Sequence, residues 1–169
     1  ELFPVWMSDI HDLEEAKQTI LDIGALTDRS PEASYLVDLI NSGFRDIESL
    51  GPGSTHYNKS VLYLIWNNPY MAAGTNTFIN DVLEKFGLIN AIEQSRYPEL
   101  SVEDIMRINP NYIFLSSEPY PFKEKHIEDL RKFAPQAHIM LVDGEMFSWY
   151  GSRLVKSVQY LFEMREQLQ

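Results

Sequence analysis

The sequence contains no cysteine. Disulfides, thiolate nucleophiles and Cys-ligated metals are therefore excluded together, while the redox character of its compartment stays open. Basic residues are scarce as well, with 14 Lys and Arg against 25 Asp and Glu for a formal charge of -11. Such a chain repels a phosphate backbone, so nucleic acid is not an expected partner. The longest apolar runs, such as Val61 to Trp66, fall far short of the roughly 20 residues of a membrane span. No basic amphipathic helix points to adsorption on a bilayer, so direct membrane insertion is not expected. A Gly-rich phosphate loop, a Gly-x-Gly-x-x-Gly turn and a Gly-x-Ser-x-Gly elbow are all missing from strand ends, which removes the commonest nucleotide and nucleophile machinery. What the 169 residues do hold is 44% hydrophobic and 12% aromatic side chains, enough to bury the core of one ordinary domain.

Periodicity places the elements. Leu2 to Met7 reads as a short apolar strand, and Leu13, Ala16, Ile20 and Ile23 as a helix capped by Ser8 or Asp9 and stopped at Gly24. Pro31 to Leu50 carries apolar residues on one side, a helix of about 20 residues and roughly 30 Å. Gly51-Pro52-Gly53-Ser54 then interrupts the chain, so a division into 1–53 and 54–169 is expected there. Beyond it, Val61–Trp66, Tyr112–Ser116 and Ile139–Val142 are continuous apolar runs, as strands buried on both faces should be. Between them come helices around Phe78–Phe86, Val102–Met106 and Ile127–Phe133, with a last one over Leu154–Phe162. Ser101 and Asp104 have capping-box spacing, and Pro110 follows that helix. Strands alternating with helical crossovers predict a three-layer, Rossmann-like α/β lobe with a mainly parallel central sheet behind a long spine helix.

In such sheets function collects at the carboxyl ends of the strands. The loops expected there, Trp66–Gly74, Ser116–Lys123 and Asp143–Arg153, are all rich in aromatic residues. Exposed loops usually favour small polar side chains, so convergent rings point to a surface for a bulky, partly apolar partner. The bland alternative, that single rings fold back as a satellite core, holds for any one of them. Glu118 and Glu145 lie in these loops and could act as general bases, but such carboxylates more often cap helices or face solvent. No enzyme activity is expected. His11, His56, His126 and His138 have no helical pairing at three or four residues, so no metal site or intrinsic cofactor is expected either.

The order Trp66 to Met71, Gly74-Thr75-Asn76-Thr77-Phe78-Ile79, Gly87-Leu88-Ile89-Asn90, Arg96 to Ile105 and Asn109-Pro110-Asn111-Tyr112-Ile113 resembles the second lobe of periplasmic substrate-binding proteins for iron-siderophores and vitamin B12. Phe147 to Leu154 is similar to the segment that opens that family's last helix. The resemblance implies a C-terminal lobe that supplies half of an interlobe cleft for a metal chelate and delivers it to an inner-membrane ABC permease. It implies that Trp66, Tyr70, Met71, Tyr97, Trp149 and Tyr150 face the cleft, with Glu118, Tyr120 and Arg153 as further ligand-binding candidates. Glu103 would be the carboxylate that docks on the permease, although a first-turn acid is also favoured by the helix dipole. The location implied is periplasmic or extracytoplasmic, with lipid anchoring through an upstream segment. On this reading Leu2–Met7 ends a first lobe of about a hundred upstream residues. The paucity of Lys and Arg near the expected cleft leans away from a strongly anionic siderophore and towards a neutral or cationic chelate, corrinoids included. A protein-interaction module on the same fold is the competing reading, and an α/β enzyme the less favoured one.

Overall fold

A computed structural model describes residue 5 and residues 7–168. Two antiparallel-packed helices lead, α1 (Leu13–Leu26) and α2 (Ser30–Leu50), followed by β1 (Ser60–Trp66), β2 (Tyr70–Ala72), α3 (Phe78–Lys85), β3 (Ile89–Asn90) and β4 (Glu99–Leu100). Then come α4 (Val102–Ile108), β5 (Tyr112–Ser116), α5 (Glu124–Arg131), β6 (His138–Val142), α6 (Glu145–Ser148) and α7 (Leu154–Gln167). Most of Leu2–Met7, read above as a strand, lies outside the described residues; Val5 and Met7 are exposed and belong to no strand.

The sheet runs β4-β2-β1-β5-β6, with β3 beside the start of β1. β1 pairs in parallel with β5 and β3, and β5 with β6, so the mainly parallel sheet stands as expected. What periodicity did not disclose is the antiparallel return, in which β2 folds back on β1 across a register shift between Leu64 and Trp66 and β4 pairs with β2. Successive strand residues face opposite sides, and the two layers divide accordingly. Val61 and Tyr63 enter a core with α1, α2, α3 and α7, whereas Leu62 and Leu64 enter one with α4 and α5. Ile40, Phe44 and Ile47 of α2 share the first core with β1, so packing is continuous across residues 51–54, where a 3-10 turn prolongs α2.

Local chemistry explains the helix ends and corrects two of them. Asp12, not Ser8 or Asp9, caps α1 by accepting from the Glu15 amide. Gly24 does not stop that helix; it is buried within it, where an added Cβ would lie 2.4 Å from the Ala33 Cβ, so its missing side chain lets α1 approach α2. Ser101 and Asp104 form the capping box of α4, which ends on Asn109 at φ 44°, one residue before Pro110. Gly87, at φ +88°, takes the left-handed turn after α3.

Candidate functional site

Parallel pairing brings the carboxyl ends of β1, β5 and β6 to one edge, and the aromatic loops emerge there. The β1–β2 loop carries Trp66, whose ring meets Tyr120 edge-on at 5.7 Å. The Tyr120 oxygen is within 3.3 Å of Asn67 Nδ2 and 3.1 Å of His126 Nε2. The Lys123 backbone N–H donates to His126 Nδ1 at 2.8 Å, so the neutral imidazole has its proton on Nε2, facing Tyr120. Met71 stands opposite Trp66 in the hairpin. Tyr70, its strand neighbour, packs edge-on against Phe133 and is half-buried on the α5 side of the sheet. Burial pushes its phenol pKa up, and Asp129 and then Tyr120 add to the effect.

The β5–α5 and β6–α7 loops are tied to each other. Glu118 Oε1 accepts the indole N–H of Trp149 at 2.6 Å, and it shares the one proton of the Ser148 hydroxyl, 2.9 Å away, with the Gly144 carbonyl at 2.8 Å. Arg153 lies over the Trp149 ring, 5.5 Å from its centroid, and pairs with Glu145 at 2.8 Å. The segment Glu145–Ser148, expected as open loop, is the short helix α6, with Phe147 fully buried beneath it. Tyr150 meets Phe78 at the start of α3 edge-on at 5.6 Å. Tyr150, Tyr97, Phe78 and Arg96 border one cavity of about 220 Å³ together with Asp9, and Arg96 pairs with that aspartate at 3.7 Å. Desolvation raises the Tyr97 phenol pKa, against the pull of neighbouring Arg96.

The structure thus sets three groups along this rim: Trp66 with Tyr120, Trp149 with Glu118 and Arg153, and Tyr150 with Tyr97 around one cavity. Trp66, Tyr97, Trp149 and Tyr150 keep 39%, 41%, 50% and 45% of their surface exposed. Glu103 stands apart, exposed in the first turn of α4, with no hydrogen bond or ion pair to the rim among the described residues. Phe78, Ser148, Asn67 and Arg96 were not foreseen as rim residues. Phe78 reads as core because it lies on the apolar stripe of α3, and only Arg96, adjacent to Tyr97, carried a usable signal. Both carboxylates considered as acid and base are engaged by neighbours and hold loops in place. Among the described residues no group of three or more His, Asp or Glu is placed to hold a metal ion. A rim of exposed rings over internally paired charges is suited to gripping apolar surface.

The profile of one protein family, described as periplasmic binding protein, matches residues 4–137. Among solved structures, a possible iron-binding periplasmic solute-binding protein from Staphylococcus epidermidis is 26% identical with a TM-score of 0.79, over 97% of this chain and 65% of its own. The periplasmic heme-binding protein RhuT from Roseiflexus sp. RS-1 is 18% identical with a TM-score of 0.76, over 93% of this chain and 63% of its own. The periplasmic vitamin B12 binding protein BtuF of Vibrio cholerae is 15% identical with a TM-score of 0.75, over 99% of this chain and 66% of its own. This chain therefore spans less than two thirds of these proteins, and the latter two likenesses are of fold. Among curated proteins nothing matches.

Proposed function

Because this chain belongs to the periplasmic binding protein family, we propose that it is the C-terminal lobe of a receptor that captures a metal chelate and hands it to an ABC importer. The observation that carries the reading is the rim itself, with four half-exposed rings along the carboxyl edge of a parallel sheet. A Trp or Tyr ring supplies large apolar area with little rotamer freedom to lose, and burying one is worth on the order of 1.5 to 3 kcal/mol. A few such rings support micromolar binding after ordering costs of comparable size are subtracted. The solved structures named for iron, heme and vitamin B12 support a cargo of this kind. No helix among the described residues is long and apolar enough to cross a membrane.

The test is titration of the protein carrying this lobe and its first lobe with ferric siderophores, haem and cobalamins, read by tryptophan quenching. Saturable quenching by one chelate is the expected result, and none by any of them refutes the reading. The exposed Glu103 is the proposed docking carboxylate. Glu103→Lys should leave chelate affinity unaltered while abolishing stimulated uptake, and normal uptake would remove that role.

A further inference from the structure

Trp149 is half exposed, yet its surroundings specify it on several sides. Its only donor is occupied by Glu118 Oε1 at 2.6 Å, and the Ser148 hydroxyl next door has that same oxygen at 2.9 Å and the Gly144 carbonyl at 2.8 Å as acceptors for its one proton. Arg153 covers part of the ring and is itself held by Glu145. The two loops are pressed together at Gly144, where a Cβ would stand 2.3 Å from Ser116 Oγ and 2.7 Å from Glu118 Cγ. An indole has one donor and no conventional acceptor, and a carboxylate makes that bond charge-assisted. Without it an exposed ring would exchange rotamers on the picosecond to nanosecond scale.

We infer that Glu118 is a positioning residue, which locks Trp149 as a rigid stacking platform braced by Arg153 and Glu145. The cargo meets this platform through a flat conjugated face. With its N–H taken, the ring offers only its uncovered face, and the charge of Arg153 beside it is balanced by Glu145. Exposed neighbours on the same rim, Trp66 and Tyr150, are again rings. The flat-face clause rests on the cargo-binding reading above, whereas the positioning clause stands without it.

The test uses the chain with Trp6→Phe and Trp66→Phe, which leaves Trp149 as the sole tryptophan of three. Acrylamide quenching of Trp149 should rise about two-fold in Glu118→Ala as the ring is freed, with far-UV circular dichroism unchanged. Glu118→Gln keeps an acceptor and should stay near the parent. Glu145→Gln, which releases Arg153, should give a smaller rise and serves if Glu118→Ala does not fold. Quenching unaltered in folded Glu118→Ala, or in Glu145→Gln where Glu118→Ala does not fold, overturns the positioning role. In a second arm haemin, a flat macrocycle, and ferrioxamine B, a globular hydroxamate chelate, are titrated separately into the protein carrying both lobes with Trp66 retained, and binding is read by equilibrium dialysis. Haemin should bind with about ten-fold lower Kd, a difference of one decade in affinity, and equal or reversed affinity overturns the flat-face clause. Failure of both probes to bind counts against the cargo reading, while the ligand-free acrylamide arm still decides the positioning.

Discussion

At the amino edge of the sheet, the rings of Tyr112 and His56 are buried and their polar atoms turn to the backbone. Tyr112 donates its hydroxyl to the Leu168 carbonyl at 3.0 Å, and His56 stacks on Phe86 at 4.7 Å while its Nε2 donates to the Phe86 carbonyl at 3.2 Å. At the carboxyl edge the same residue types stand half exposed, and their polar atoms turn to side chains of neighbouring loops. Where rings are closed off, they stabilise the fold through burial. Where they are held by polar side-chain ties and left open, their apolar area stays available for a partner. The two edges thus treat similar side chains differently, closed into the core at one and left open at the other.

The most severe way to probe that division is to remove a ring at the closed edge. Phe86 is 2% exposed and packs in the core under His56, so Phe86→Ala should cost about 3 to 5 kcal/mol in urea unfolding. A loss no greater than that of Trp149→Ala at the open edge would break the contrast. The next effect lies beneath the rim. At Gly144→Ala the new methyl meets Ser116 Oγ and Glu118 Cγ, and Ser116 is itself buried and bonded to Tyr63 at 3.3 Å. Overpacking of this kind costs about 1 to 3 kcal/mol, and the displaced loop should also shift Trp149 emission. A variant as stable as the parent would mean that the two loops yield easily and that the rim is not rigid.

Legibility followed the same division. β1, β5 and β6 were readable because strands covered on both faces need continuous apolar runs, and the α4 capping box was readable because its spacing is fixed. β3 and β4 are two residues each, too short for any period, and exist because backbone groups such as Ala91 N–H find Val61 O across the fold. Gly24 shows how a residue misleads, since a glycine near a helix end usually marks a stop and here serves the contact with Ala33. At the rim the loops were visible from their rings. The tie between Glu118 and Trp149 was not, because it joins residues 31 apart whose meeting depends on the order of the strands.

A milder test returns to the closed edge through pH. His56 is 1% exposed and its Nδ1 has no hydrogen-bond partner among the described residues. Desolvation lowers its pKa below the ordinary 6.5; the hydrogen bond to Phe86 opposes that and the Arg165 charge adds to it. The unfolded chain therefore takes up this proton first. Stability should fall as pH drops through about 6.5, and the loss should level off once the folded imidazole is protonated too. His56→Gln should flatten that part of the profile, measured as urea midpoints between pH 7.5 and 5. An identical slope in the variant would show that burial at this edge does not govern the ring.

The smallest stability effect is expected at the open edge, and it sharpens the contrast most. Trp66 is 39% exposed, and its described ring partner is Tyr120, met edge-on. Such a pair is worth about 0.5 to 1.5 kcal/mol beyond burial, and leucine restores part of the covered area. Trp66→Leu should accordingly lower unfolding stability by about 1 kcal/mol or less. If recognition resides on this edge, the same change should weaken chelate binding about ten-fold, because what leucine cannot restore is the exposed face. Equal losses in the two measurements would place Trp66 with Phe86 as a packing residue, and the rim would then begin at Tyr120.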